Sequence, residues 1–492
     1  MKVSYGSNLK LEGQWDEALR LFEEALEELE KASNRSEGTP KETYKSDPNP
    51  LDIRSSIASI FTQKGKYSEA SEQYRQIIEQ WKILPGENAA SVTQTEQDLA
   101  YTLRRLGKHQ EALNLFEKVR GEKKRIMIEN LEQDRPSISK KEKKQLILEM
   151  EDHPSILEID HAIATVLEDQ GTYKESLQHQ ESIYNKQRKL LGDYHYSTLG
   201  SLHGLARVSG RLGRYDDALK WYGKELEAMK KVFGREDHPW IFMVLSGIAD
   251  VWMRQEKYEE AEMRYRMAYE GFKKLGMTGR GQFPMATNIA RALRDRRKYE
   301  EALIFCKEAC DGLLQELGEE NIYTLVAKVC FASIRKLQGH LPEALEIYEQ
   351  VLAVYEKKGQ ADHAEALKVK CWIGEIHSEQ GNHEIALGFV GPAAAKLKEV
   401  LEPNVADPAA STPPHPQIVW ASNLAKEIES KYNLSKQFPP NRQSPPTQQP
   451  SPNEQPLHNG SVSTEIASGS SSPEEEKSLT TSRSRMCGCC IT

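Results

Sequence analysis

The chain has 492 residues, 28% of them charged and 8% aromatic, with a formal net charge of −8. A mildly acidic chain without a strongly basic face lacks the electrostatic footprint of a nucleic-acid binder. No apolar run approaches the roughly 20 residues that a membrane-spanning helix needs, and Met1 to Leu11 has no signal-peptide core.

In chain order, Val3 to Leu11 precedes the first copy of a motif of the form Gly-x-aromatic-x-x-small-x-x-x-aromatic-x-x-apolar. That copy is Gly13-Trp15-Ala18-Phe22-Ala25, and its leading helix is mostly missing. Either Val3 to Leu11 covers the apolar face so exposed, or the sequence is an incomplete product. A Ser-, Pro-, Asn- and Thr-rich surplus at Ser33 to Pro50 separates it from Gly65-Tyr67-Ala70-Tyr74-Ile77 and Gly107-His109-Ala112-Phe116-Val119. A second surplus, Gly121 to Asp152, carries the basic clusters Lys123-Lys124-Arg125 and Lys140-Lys141-Glu142-Lys143-Lys144. Such charge runs read as solvated helix extensions or loops, with an exposed recognition surface as the alternative.

From there the motif is regular: Gly171-Tyr173-Ser176-Ile183, Gly213-Tyr215-Ala218-Tyr222, Glu256-Tyr258-Ala261-Tyr265-Ala268, Arg297-Tyr299-Ala302-Cys306-Ala309, Gly339-Leu341-Ala344-Tyr348-Val351 and Gly381-His383-Ala386-Ala393. The spacing of these copies is 42, 43, 41, 42 and 42 residues. A fixed period in this range marks a solenoid, whose units bury their apolar faces only against their neighbours. Seven residues before each loop position stands a small residue: Ala58, Ala100, Ala164, Ala206, Ala249, Ala290, Ala332 and Gly374. A small side chain lets two helices approach closely, and Gly at the loop ends the first helix with positive φ. Each unit is predicted to be a helix–turn–helix hairpin. The seven cysteines include Cys306, Cys310, Cys330 and Cys371 inside repeat helices, without metal-type spacing, and these read as small core residues.

This pattern resembles the tetratricopeptide repeat, and its 42-residue period resembles the kinesin light chain type of that repeat. The same type carries a His-Pro-like step at the start of its first helix. Here His153-Pro154, His195, His238-Pro239 and His363 each fall 18 residues before their loop position, Asn321 takes the same place, and the unit at Phe283-Pro284 departs from it. These histidines are expected to cap helices. The resemblance implies an all-α, right-handed superhelical α-solenoid over residues 1–400 that binds a peptide or protein in its concave groove.

After Ala393 the pattern fades. His415-Pro416 opens an amphipathic stretch with Ile418, Val419, Leu424, Ala425 and Ile428 at helical spacing, a cap for the open end within 401–434. Residues 435–492 are dominated by Pro, Ser, Gln, Thr, Asn and Glu and read as disordered. The final Cys489-Cys490-Ile491-Thr492 fits a prenylation box with Cys489 as the alkylated residue, and Cys487 or Cys490 is the candidate for a second, acyl anchor. The alternative is a fortuitous thiol cluster or a weak metal-binding tip.

No phosphate-cradling loop, paired-His zinc motif or nucleophile elbow is present in the sequence, so the chain reads as a non-enzymatic adaptor without a cofactor. Counting back six, three and two residues from each loop selects candidate groove contacts. These are Arg207, Gly210 and Arg211, then Asp250, Met253 and Arg254, then Arg291, Arg294 and Asp295, with His203, Met243 and Ser246 nearby. The net-basic cluster predicts an acidic peptide or protein partner, with no nucleic acid and with membrane attachment through the C-terminal lipid. A pairing of these arginines with neighbouring carboxylates is the competing expectation. The alternative function is a sensor arm of a larger nucleotide-binding receptor whose effector part is absent from this chain.

Overall fold

The computed structural model describes residues 2–11, 14–35, 49–84, 88–135, 139–401 and 416–437, and among them every regular element is helical. The first hairpins are α1 (Lys2–Leu11) with α2 (Trp15–Arg35), α3 (Pro50–Gln63) with α4 (Tyr67–Ile83), and α5 (Ala89–Arg105) with α6 (His109–Asp134). After α7 (Lys140–Met150) come α8 (Pro154–Asp169) with α9 (Tyr173–Leu191), α10 (Tyr196–Arg211) with α11 (Tyr215–Phe233), and α12 (Pro239–Arg254) with α13 (Tyr258–Lys274). A π-turn at Thr278–Gln282 leads into α14 (Phe283–Asp295) with α15 (Tyr299–Leu317). The last hairpins are α16 (Ile322–Leu337) with α17 (Leu341–Lys357) and α18 (Ala364–Glu379) with α19 (His383–Leu401), followed by α20 (Pro416–Gln437).

The same turn closes each hairpin. A backbone N–H just past the loop residue donates to a carbonyl five positions back, as in Lys66 to Phe61, Arg214 to Ser209 and Lys298 to Leu293, each at 2.9 Å. This reverse bond requires left-handed backbone at the loop residue, with φ of 79° at Gly65, 82° at Gly107 and 76° at Gly213. Glu256 (60°) and Arg297 (61°) hold the same conformation with side chains attached. Gly13, the loop position of the first copy, lies outside the described residues.

The small residues sit where the paired helices cross. Ala58, Ala100, Ala164, Ala206, Ala249, Ala290 and Ala332 have no exposed surface. At Gly374 a Cβ would lie 2.4 Å from Val390 Cγ2, so even alanine is too large there. The expected caps form at each matching histidine. Nδ1 of His153, His195, His238 and His363 accepts the N–H two residues on, at 3.2 Å in each case. Asn321 does the same for α16 at 2.9 Å, and so does Asn49 for α3 at 2.9 Å, a cap that the 18-residue offset missed. The unit at Phe283 begins from the π-turn instead, without a side-chain cap.

Val3 to Leu11 forms a helix that lies on α2, with Leu9 buried and Gly6 close against the Phe22 ring. The basic surplus is largely helical: α6 runs on for 26 residues and α7 follows, capped by Ser139. Arg120 ties it to the solenoid by reaching Asp160 at 2.5 Å and Glu151 at 2.7 Å. At the other end α20 buries Ile418, Ala421 and Ile428 against α18 and α19. Val419, placed on that face by spacing, is exposed. The insertion at 36–48 and the tail from 438 lie outside the described residues.

Rotation from unit to unit winds the chain until it meets itself. Ser68 Oγ at the start of α4 donates to the Lys358 carbonyl at 2.9 Å across 290 positions of sequence. Lys358 Nζ donates to the Glu320 carbonyl at 2.7 Å and lies 5.6 Å from the centroid of the Tyr67 ring. One unit along, the His363 ring presses on Gly107, where a Cβ would stand 3.0 Å from His363 Cδ2. Tyr355 stacks on that ring, with centroids 5.7 Å apart. Burial, reinforced by His109, Lys368 and Lys358, holds the His363 pKa down at about 4, against the weaker opposing pull of Asp169.

Two outcomes follow from this geometry. Glycine at position 256 or 297 removes the strain of a left-handed side-chain residue, so Glu256→Gly and Arg297→Gly should each raise stability by about 0.5–1 kcal/mol. Thermal unfolding that shows a lower Tm for both would contradict the turn geometry. Because the folded His363 resists a proton that the unfolded chain accepts below about 6.5, its contribution is complete above that pH and is lost as pH falls toward about 4. Asparagine caps α16 at the equivalent position, so His363→Asn should keep the cap and flatten the decline of Tm over that window. Superimposable Tm–pH curves for the two proteins would remove His363 as a contributor.

Candidate protein-binding groove

The first helices of successive hairpins pack on one another, α10 on α8 and α12, and α14 on α16, and form an inner strip of the kind stacked-hairpin solenoids present. Charged residues occur in the last turns of these helices, where cations also oppose the partial negative charge of a helix C-terminus. The strip is cross-linked from unit to unit. Arg104 on α5 donates to Asp169 on α8 at 2.6 Å. The neighbouring Glu168, almost wholly buried, receives Arg207 at 2.8 Å and stands 3.7 Å from Arg211. Farther along, Lys336 on α16 reaches Glu375 at 2.6 Å and Glu379 at 3.5 Å on α18.

The predicted contact residues occupy α10, α12 and α14, in different states. His203 directs Nδ1 to both oxygens of Glu225 at 3.2 Å and sets its ring edge against Tyr222. Glu225 is fully buried and also accepts from Trp240 Nε1 at 3.1 Å, so His203 belongs to a packed polar cluster. Gly210 is buried, with Val251 filling the space beside it. Asp250 accepts the Tyr265 hydroxyl. Arg291 is buried and donates to Asn288 at 3.2 Å, while Arg294 is buried between Asp295 at 2.8 Å and Ser333 at 3.0 Å.

What remains accessible is narrower than a row of free guanidinium groups. Met243 is exposed, Ser246 and Met253 are half-buried, and Arg254 is half-buried. Among the described residues no carboxylate lies within ion-pair reach of Arg254. Tyr173 on α9, whose hydroxyl burial holds in the neutral form, lies within electrostatic reach of Arg211 and Arg254. Arg207 and Arg211 were separated from their partner by 39 and 43 positions, so spacing within one unit could not reveal Glu168.

The thiols of the repeats sit in the helical core. Cys306, Cys330 and Cys371 are buried and Cys310 is half-buried. Burial pushes the Cys371 pKa up to about 12, which leaves it an unreactive thiol at neutral pH. Among the described residues no group of three or more His, Cys, Asp or Glu is arranged to hold a metal ion. Cys487, Cys489 and Cys490 lie outside the described residues.

Residues 51–120, 155–231, 198–274 and 281–357 match the tetratricopeptide repeat. A secreted RxLR effector protein, RXLR-C07 of Plasmopara halstedii, is 24% identical over 178 residues, covering 35% of this chain and 54% of that protein. Protein KINESIN LIGHT CHAIN-RELATED 2 of Arabidopsis thaliana is 26% identical over 206 residues, 40% of this chain and 30% of that protein. The chain therefore spans about half or less of the length of these relatives. A solved structure of kinesin light chain-like repeats from Podosopora anserina is 23% identical, covers 42% of this chain and 98% of its own, and superposes with a TM-score of 0.35. A Rap protein complexed with Competence and Sporulation Factor is 10% identical, covers 78% of this chain and 99% of its own, and superposes with a TM-score of 0.40. Since the repeat model matches more than half of its residues, the chain belongs to the tetratricopeptide repeat family, with repeats of the kinesin light chain type.

Proposed function

We propose that this protein is a non-catalytic adaptor that holds an acidic peptide or protein segment in its concave groove. The tetratricopeptide fold is a protein-interaction scaffold. The observation that carries the finer reading is Arg254. It stands between arginines already neutralised by Glu168 and Asp295, while its own charge has no carboxylate in reach among the described residues. A half-buried cation of this kind gains most from an incoming carboxylate, which would be steered by charge and seated beside Met243, Met253 and Ser246. His203, Arg207, Arg211, Asp250, Arg291 and Arg294 shape the groove and hold it rigid, and the partner contacts centre on Arg254.

Fluorescence anisotropy with labelled Asp/Glu-rich peptides tests this reading. Binding should weaken as salt rises, and Arg254→Glu should reduce affinity by roughly tenfold or more while the helical circular dichroism stays unchanged. Equal affinity for a folded Arg254→Glu variant would move the site elsewhere, most directly to the basic insertion around Lys141 to Lys144.

The membrane anchor is a separate proposal that rests on the Cys489-Cys490-Ile491-Thr492 box. One prenyl chain binds a bilayer only reversibly, so Cys489 would act with an acyl group on Cys487 or Cys490. The segment before it would serve as a flexible tether. Where this box forms the mature end of the chain, Cys489→Ser should shift the protein from the membrane fraction to the supernatant. A wild-type C-terminal peptide with no added lipid mass would end the proposal.

A further inference from the structure

The outer face carries a second feature, unrelated to the concave strip. Along α13 runs an open cleft of about 890 Å³, walled at one end by Glu236 and Asp237 before α12 and at the other by Arg296 of the next loop. Its floor is apolar. Phe242 lies against Gly271, where no Cβ could be accommodated, and Met263 and Met267 stand above with 52% and 47% of their surfaces exposed. Two methionines one helical turn apart form an adaptable apolar stripe, because the unbranched thioether chain conforms to differently shaped partners. The 17 residues of α13 make the cleft about 25 Å long, the length of a helix of four to five turns.

The charge around this floor leans acidic, with Glu236 paired to Lys230 at 2.6 Å and Asp237 to Arg235 at 3.5 Å. The cleft is lined by Glu236, Asp237, Glu259, Glu260, Glu262 and Glu270, against Arg266, Lys274 and Arg296. Two of those cations are already engaged: Arg266 holds Glu262 at 2.8 Å and Glu301 at 2.5 Å, while Arg296 binds Glu262 and lies 3.3 Å from Glu259. Glu260 and Glu270, both exposed, make no ion pair among the described residues and stand nearly three turns apart, on opposite sides of the methionine stripe. An apolar stripe flanked on both sides by an unneutralised carboxylate complements a helix with apolar residues on one face and cations beside them.

We propose that the α13 cleft is a docking surface for a basic amphipathic helix of a partner protein, with Met263 and Met267 gripping its apolar face and Glu260 and Glu270 pairing with its cations. The protein then offers two chemically opposite faces, an inner one for an acidic segment and an outer one for a basic helix, and can bridge two partners. The outer site rests on its own residues and stands or falls independently of the inner one.

The test uses the full chain and a fluorescein-labelled amphipathic helical peptide of lysine and leucine, with its glutamate and leucine counterpart as control. The lysine peptide should bind saturably and protect α13 from hydrogen exchange, and the glutamate peptide should not. Met263→Gln with Met267→Gln should weaken binding about tenfold, and Glu260→Lys with Glu270→Lys should do the same and abolish its salt dependence. All four positions are exposed, so these variants should fold, and circular dichroism verifies it. Unchanged affinity in either folded double variant, equal binding of the glutamate peptide, or protection mapped away from α13 would overturn the proposal. So would sedimentation showing a wild-type dimer that the methionine variant loses, since the cleft would then belong to a second copy of this chain.

Discussion

Where the two helices of a unit cross, Ala206 meets the α11 face that carries Ala218, and neither leaves any surface exposed. The close crossing sets the hairpin angle, and the angle sets how far each unit is turned from the last. A larger side chain at this point would push two backbones apart in a densely packed interior, at a cost of about 1–3 kcal/mol. The left-handed loop residue completes the constraint, because the backbone bond closing the turn allows little freedom in where the second helix starts. Repetition of this one geometry produces the superhelix, and with it the approach of Ser68 to Lys358.

Self-contact changes what kind of solenoid this is. Units in an open array feel only their nearest neighbours. Here the edge of one turn rests on the edge of another, through Lys358 on Tyr67 and His363 on Gly107. The N-cap histidine of α18 therefore serves twice. It satisfies a backbone donor at the helix start, and it fills the seam between turns, where burial keeps it uncharged.

The inner and outer surfaces treat charge differently. On the inner strip, carboxylates of one unit reach arginines of another, as Glu168 does with Arg207. A buried pair of this kind shapes the surface more than it attracts ligands, because its field is largely cancelled within the protein. Arg254 inside and Glu260 with Glu270 outside escape that cancellation. They are the charges on which the two proposed contacts rest.

The sequence alone determined the repeat, the hairpin and the caps. Alanine at the crossing, glycine at the turn and histidine at the helix start each answer a local demand within one unit, so each is written at a constant offset. His153, His195, His238 and His363 could be read as caps for that reason, and Glu256 and Arg297 showed their turn role through position although their identity departs from glycine. The competing fates of the groove arginines were not legible. Arg207 reads the same whether it faces solvent or Glu168, because its partner comes from the preceding unit and only the rotation between units decides the distance. The seam at Lys358 is likewise a product of accumulated rotation, and the cleft along α13 depends on how the neighbouring loop with Arg296 sits against that helix. Local chemistry repeats with the chain and can be counted along it, whereas contacts between units depend on an angle that no single residue encodes.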